Sequence, residues 1–318
     1  ANAIADPTAY SNVDSPYSQT IYIRVENTDT LSPCYDIAIA QLLVEPLAEP
    51  VITSDYTHLC VNADGSVDRP VELNSNITDP NYTFEWFHNG VSIPGATESI
   101  YLIDQFGGEG EYYVIATSTL PYFECESEPS DVITIGLSGS ASIVYIESTN
   151  AFYDQQDIIV TVDGYGEYLY QLDNGPLQST GHFVNVSPGA HTVTVYDVLP
   201  GGGDVDDDNN CRAITQDNVS VVNYPHYFTP NGDGYHDHWN ITGLNAFHNA
   251  ELFIFDRYGK LLKQLNPLGE GWDGTYNGNP LPSSDYWFKV VYDEPHTDSE
   301  GIITTRRKEF KAHFSLKR

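Results

Sequence analysis

The chain has 318 residues, enough for about two to four domains, and carries 13 Lys and Arg against 45 Asp and Glu, a formal net charge of -32. Such a charge repels phosphate backbones and anionic lipid headgroups, so nucleic-acid binding is not expected. No apolar run approaches the roughly 18–20 residues of a membrane-spanning helix, so no direct membrane insertion is expected either.

The 23 Tyr and 13 Phe, within a 40% apolar fraction, exclude a wholly disordered chain. Methionine is absent, which reads as a mature or trimmed fragment whose signal peptide is already gone. Charge is divided by position: residues 1–222 hold three basic residues (Arg24, Arg69, Arg212) against 33 acidic ones, and residues 223–318 hold ten against twelve. The first part is therefore at 3 minus 33, or -30, and the second at 10 minus 12, or -2.

Short apolar runs rich in Tyr and Thr, separated by Gly, Pro, Asn and Asp, give the rhythm of an all-β protein. The expected architecture is a series of tandem β-sandwich modules, ending in a β-sandwich of another kind. Residues 1–45 contain two strand-like runs, Gln19–Glu26 and Ile37–Val44. Two strands are too few to enclose a core, so this segment reads as the end of a β-sandwich repeat, followed by the linker Leu47–Pro50.

Residues 46–136 read as one complete sandwich. Thr83–Phe87, Tyr101–Ile103, Glu111–Thr117 and Asp131–Ile135 are its expected strands, with a turn at His88-Asn89-Gly90. A Cys, then Phe-Glu-Trp, then Gly-Glu-Tyr-Tyr resembles immunoglobulin-like or PKD-like modules. Val114 stands where that pattern usually has its second cysteine, two residues after the tyrosine. Cys60 and Cys125 lie in this one candidate domain and form the expected disulfide. Cys34 and Cys211 have no assigned partner. With no CxxC pair, structural zinc is not expected, and an oxidising, extracytoplasmic setting fits.

Residues 137–222 form a second β repeat, with strands at Ile143–Glu147, Ile158–Val162, Glu167–Leu172, His182–Val186, His191–Tyr196 and Asn218–Val222. Turns are expected at Asp173-Asn174-Gly175 and Ser187-Pro188-Gly189. The segment Gly201–Asn210 reads as a hydrated acidic loop.

Residues 223–318 form the last unit, with strands at Trp239–Ile241, Ala250–Phe255, Leu261–Gln264, Ser284–Tyr292 and Arg307–Leu316. Its motifs are ordered and uncommon: Tyr227-Phe228-Thr229-Pro230-Asn231-Gly232-Asp233-Gly234 and Trp239, then Phe255-Asp256-Arg257-Tyr258-Gly259-Lys260, Gly271-Trp272-Asp273-Gly274, and Asp285-Tyr286-Trp287-Phe288. Together they resemble the C-terminal sorting domain of proteins exported by the type IX secretion system of Bacteroidetes, in its type B, gliding-motility-associated form.

The resemblance implies a β domain recognised after passage of the inner membrane, with the cargo then sent through an outer-membrane translocon to the cell surface or medium. It also implies an outer-membrane β-barrel partner of the PorP/SprF kind, and a cargo such as a surface adhesin or gliding-motility protein, whose stalk end the first 222 residues would form. The alternative is a carbohydrate- or protein-binding accessory region of an exported extracellular hydrolase.

Arg306, Arg307, Lys308, Lys311, Lys317 and Arg318 are candidate partner-binding residues, placed to meet acidic loops on a transport partner. Asn231, Asp233 and Asp237 are candidate calcium ligands in a glycine-containing loop, although calcium takes about six to eight oxygens. The other reading of that loop is a set of Asx turns. Trp86, Trp239, Trp272 and Trp287 are expected to pack in local cores. No nucleophile elbow, HExxH, phosphate loop or dinucleotide fingerprint is present, and no enzyme activity or cofactor is expected beyond the candidate calcium.

Overall fold

The computed structural model describes residues 4, 6, 8, 10, 18–27, 34–43, 47–121, 125–200, 204–244, 248–297 and 303–318. Val44 and Gly201–Gly203, which fall within expected elements, lie outside the described residues. The chain is all-β, built from several small sheets, and divides into two compact units: Ala1–Leu59 with Pro70–Gly136, and Cys60–Arg69 with Leu137–Arg318.

In the first unit, β1 (Ser18–Glu26) and β2 (Tyr35–Leu43) pair antiparallel in a two-stranded hairpin, from Ser18↔Leu43 to Glu26↔Tyr35. The strands that follow are β3 (Thr53–Ser54), β4 (His58–Val61), β5 (Val67–Arg69), β6 (Val71–Asn74), β7 (Tyr82–His88), β8 (Val91–Ser92), β9 (Ile100–Ile103), β10 (Gly110–Ser118) and β11 (Ile133–Ser138). One small sheet runs β3–β6–β9, and another carries β11–β10–β7–β8 in that order. Strand alternation makes the core: Phe84 and Trp86 of β7 point inward with Tyr112, Val114 and Ala116 of β10, while Glu85 and Glu111 face water. Trp86 is wholly buried, and its indole N–H donates to Glu98 O at 2.9 Å.

The division between the units falls inside β4. Cys60 and Val61 pair with β5 (Cys60↔Arg69, Val61↔Val67), and this short ribbon belongs to the second unit. There β12 (Ser142–Ser148), β13 (Ile158–Asp163), β14 (Glu167–Leu172), β15 (His182–Phe183), β16 (Gly189–Val198) and β17 (Ile214–Val221) form two three-stranded sheets, β12–β13–β15 and β14–β16–β17. Their inward residues are almost all aliphatic: Ile158, Val160, Val193, Val195, Val219 and Val221.

The ribbon explains a correction. Cys60 is bonded to Cys211, not to Cys125, which is exposed. Arg69, register partner of Cys60, fixes the same neighbourhood by donating to the carbonyls of Asp208 (3.0 Å), Asn209 (2.6 Å) and Asn210 (2.8 Å). Beside the disulfide, the buried Asp197 accepts from Ser138 Oγ and from the Cys211 N–H, both at 2.7 Å. The acidic loop therefore reaches Cys211 gripped by its backbone, and Asp204 and Asp207 turn their carboxylates to N–H groups two residues on.

The rest of the second unit holds β18 (Tyr227–Phe228), β19 (His248–Phe255), β20 (Leu261–Leu265), β21 (Thr275–Tyr276), β22 (Asn279–Pro280), β23 (Ser284–Thr297) and β24 (Ile303–Leu316). The main sheet runs β18–β24–β23–β19–β20, antiparallel except for the parallel pair β18–β24. β23 and β24 are longer than expected and stay in register from Ser284↔Leu316 to Thr297↔Ile303. The expected strand Trp239–Ile241 is reduced to an isolated bridge between Trp239 and Trp272.

Candidate functional site

The motif residues of the last unit separate into core, turns and surface. Phe228, Trp239, Trp272, Phe288 and Phe314 are fully buried. Trp239 and Phe314 stack with centroids 3.9 Å apart, and Tyr286 meets Trp272 edge-on at 5.2 Å. Each buried polar tip has a partner, as aromatic cores require: Trp239 Nε1 donates to Pro225 O (2.7 Å), Trp272 Nε1 to Thr275 O (2.8 Å) and Tyr286 Oη to Pro282 O (2.9 Å).

The turns are built by aspartates. Asp256 Oδ1 accepts the N–H groups of Tyr258 and Lys260, both at 2.9 Å, and Gly259 takes the positive φ (78°) that closes the hairpin. Asp273 accepts the Thr275 N–H at 3.0 Å. Gly274 is required for closeness: a Cβ there would lie 2.6 Å from Leu316 Cδ1.

In the loop Thr229–Asp237, the Asp237 carboxylate collects three backbone N–H groups, from Gly232 (2.7 Å), Gly234 (2.8 Å) and Asn231 (2.9 Å). The N–H groups of Gly232 and then Gly234 hold its carboxyl below the ordinary Asp value. Asn231 Nδ2 donates to Asp233 Oδ2 at 2.8 Å, and Asp233 Oδ1 accepts the Tyr235 N–H. The candidate calcium ligands thus aim their oxygens at their own loop. That is an Asx-turn arrangement, and no group of three or more His, Cys, Asp or Glu side chains placed to hold a metal ion occurs among the described residues.

The candidate partner-binding cations also separate. Arg318 donates to the carbonyls of Leu281 (3.0 Å), Gly274 (3.1 Å) and Pro230 (3.3 Å), tying three motif segments together. Arg307 is held by Glu251 (2.8 Å), Asp293 (3.1 Å) and the carbonyl of Asn249 (2.8 Å). Lys317 lies over the Tyr227 ring at 4.4 Å. Arg306 and Lys308 are exposed on β24. Lys311 forms an ion pair with Glu309 at 2.5 Å, and Glu309 also meets Lys289 at 2.9 Å.

One tryptophan departs from expectation. Trp287 is 40% exposed, because alternation along β23 sends Tyr286, Phe288 and Val290 inward and Trp287 outward. It heads a cross-strand row with Phe255 and His313, followed by a row of Phe253, Lys289 and Lys311. Between them lies a groove of about 310 Å³, lined by Phe255, Asp256, Arg257, Trp287, Lys289 and Lys311 among others. Sequence reasoning missed it by treating every tryptophan as core. The alternation of Tyr286-Trp287-Phe288-Lys289 was the available signal.

The loop Thr149–Asp157 also packs on this core. Phe152 stacks on Phe310 at 4.2 Å, its N–H donates to Val222 O (2.9 Å), and Gln156 Nε2 donates to the same carbonyl (2.8 Å). Ala151 and Phe152 pack against the C-terminal core.

With this aromatic β domain and its motif-built turns described, comparison with known families is decisive: residues 222–305 match the CHU_C type IX secretion signal domain. The C-terminal segment is a type IX secretion signal domain. It is a sorting signal, not a catalytic domain, and it directs export across the outer membrane to the cell surface by the type IX machinery.

At the other end, residues 1–48 match the Flavobacterium inter-domain disulphide bond domain. No curated protein matches the chain. Three solved structures share 12% identity with it: the FN1–FN3 domains of chicken CNTN1 (86% of this chain, 100% of that one, TM-score 0.21), dimeric latent PorU from Porphyromonas gingivalis (86% and 35%, TM-score 0.20) and the β-glucuronidase of Parabacteroides merdae (54% and 25%, TM-score 0.18).

Proposed function

We propose that this chain is the C-terminal stalk and secretion signal of a cell-surface adhesin or gliding-motility protein, and that its sorting domain engages an outer-membrane β-barrel of the PorP/SprF kind. Residues 46–136 and 137–222 would be immunoglobulin-like sandwich repeats of the stalk, and residues 223–318 the sorting domain, itself a sandwich. The observation that carries the reading is the secretion signal match on a domain with its own aromatic core.

The acidic repeats suit a stalk because like charge keeps neighbouring copies apart. Trp86, the sole tryptophan of residues 51–222, is buried, so the exposed aromatic side chains there are Phe and Tyr, among them Phe106, Tyr145, Tyr153 and Tyr165. A non-enzymatic role for the whole chain goes with these features.

A fusion in a type IX-competent bacterium tests the reading. Because Phe152 packs on the C-terminal core, the fused segment is residues 137–318, joined to a periplasmically delivered reporter. The expected result is translocon-dependent appearance of the reporter at the surface or in the medium, abolished when residues 223–318 are removed. Export unaffected by that removal sinks the proposal. Recovery of no β-barrel protein with the exported chain under mild detergent removes the PorP/SprF assignment alone.

A further inference from the structure

The sheet of the sorting domain has two faces. One covers the aromatic core, through Leu252, Ile254, Phe288, Val290 and Phe314. The other is covered by no element among the described residues, and its residues run in cross-strand rows: Phe255–Trp287–His313, Phe253–Lys289–Lys311, then Glu251–Val291–Glu309. The far end is closed by ion pairs of Arg307 with Glu251 and Asp293. The near end is open, and there the groove beside Trp287 provides an apolar floor of Phe255 and the Trp287 ring.

Charge identifies what fits. Two ammonium groups, Lys289 and Lys311, share the single carboxylate of Glu309. The Arg257 guanidinium, at the groove's edge, donates to the neutral Ser284 Oγ at 2.6 Å. With Asp256 also lining the groove, the three cations stand against two carboxylates, at 3 minus 2, or +1, in a chain whose first 222 residues stand at 3 minus 33, or -30. Complementary charge draws an acidic partner to this face and favours one orientation there. A half-exposed tryptophan at the centre of a small apolar hollow is the kind of anchor on which interface energy concentrates.

We propose that this outer face, centred on Trp287, Lys289, Lys311 and Arg257, is the surface by which the export machinery holds the domain, and that the partner inserts a large apolar side chain flanked by carboxylates. The inference rests on the sorting reading above, keeps Lys311 of the basic run and adds Trp287, Lys289 and Arg257 from the sheet and its hairpin. Arg307, Lys317 and Arg318 are engaged within the domain and serve it structurally.

The test uses the full chain in a type IX-competent bacterium, scored by the fraction reaching the surface, with the melting temperature of each purified variant as the folding control. Trp287→Ala and the pair Lys289→Glu with Lys311→Glu are expected to cut export at least about tenfold while melting within a few degrees of the parent. Arg306→Glu with Lys308→Glu, outside the groove, is expected to export within about twofold of it.

Should a groove variant melt early, a photo-crosslinking phenylalanine analogue in place of Trp287 decides the matter. An adduct mapped to an acidic segment of an outer-membrane export protein supports the proposal. Adducts only on lipopolysaccharide, only on a second copy of this chain, or none at all overturn it. Normal export of both groove variants overturns it too, and it is then told apart from failure of the sorting reading by removal of residues 223–318: loss of export leaves that reading standing, and retained export ends both.

Discussion

Two neighbouring parts of the second unit are made from the same kind of strand and held by different chemistry. Between residues 158 and 221 the buried core is aliphatic apart from Phe183, and the Cys60–Cys211 bond joins it to a ribbon from far upstream. From Phe228 to Leu316 the core sets stacked and edge-on aromatic rings among aliphatic side chains such as Leu252, Ile254 and Val290, and no cysteine is present. Aliphatic strands bury little area each, so a repeat facing the oxidising exterior benefits from a covalent restraint on its unfolded chain. Aromatic residues bury about 150–250 Å² apiece, enough for a domain of this size to hold itself by packing. A signal that must be read during export therefore has a fold independent of disulfide chemistry.

The contrast breaks most sharply at Phe314, which packs against Trp239, Trp272, Phe288 and Phe228. Phe314→Ala should cost about 3–5 kcal/mol. By hydrogen exchange, the lost protection should appear in β23 and β24 while β13 and β16 stay protected.

Cys211→Ser reverses the pattern. The bridge spans a sequence separation of 151 residues, for which chain entropy gives about 5 kcal/mol and measured bridges about 2–4. The loss should be read in residues 137–222, with reduction of the parent reproducing it and leaving the sorting domain unchanged. Equal loss in both parts would mean that the two cores unfold as one.

The smallest effect concerns Asp237. The N–H groups of Gly232 and Gly234 depress its folded-state value. Its contribution is thus present above the ordinary Asp value of about 4 and is lost as pH falls through the lower folded one. Acid titration of the parent should show this loss between those two values, and Asp237→Asn should flatten the acid limb of the curve while leaving the neutral limb parallel.

What could be read from the sequence followed what is local. Asp256 and Gly259 announce their hairpin, because an aspartate that accepts N–H groups two and four residues on and a glycine at positive φ act within five residues. The alternation that buries Trp86 is equally local.

The Cys60–Cys211 pair was not readable: four cysteines allow three complete pairings, and proximity in sequence favoured Cys125 over a partner 151 positions away. The engagement of Arg318 depends on three segments meeting, at Pro230, Gly274 and Leu281. The groove needed both the strand alternation and the order β24–β23–β19, of which only the first is written along the chain.

That strand order has a further consequence. β18 opens the sorting domain yet pairs, in parallel, only with β24, which is made last of its strands. β23 likewise gains one of its two neighbours from β24. A nascent or clipped chain that stops short of residue 303 therefore leaves β18 without its neighbour and the aromatic cluster without Phe314. An incomplete copy thus carries most of the motif residues while lacking the strand that completes their sheet.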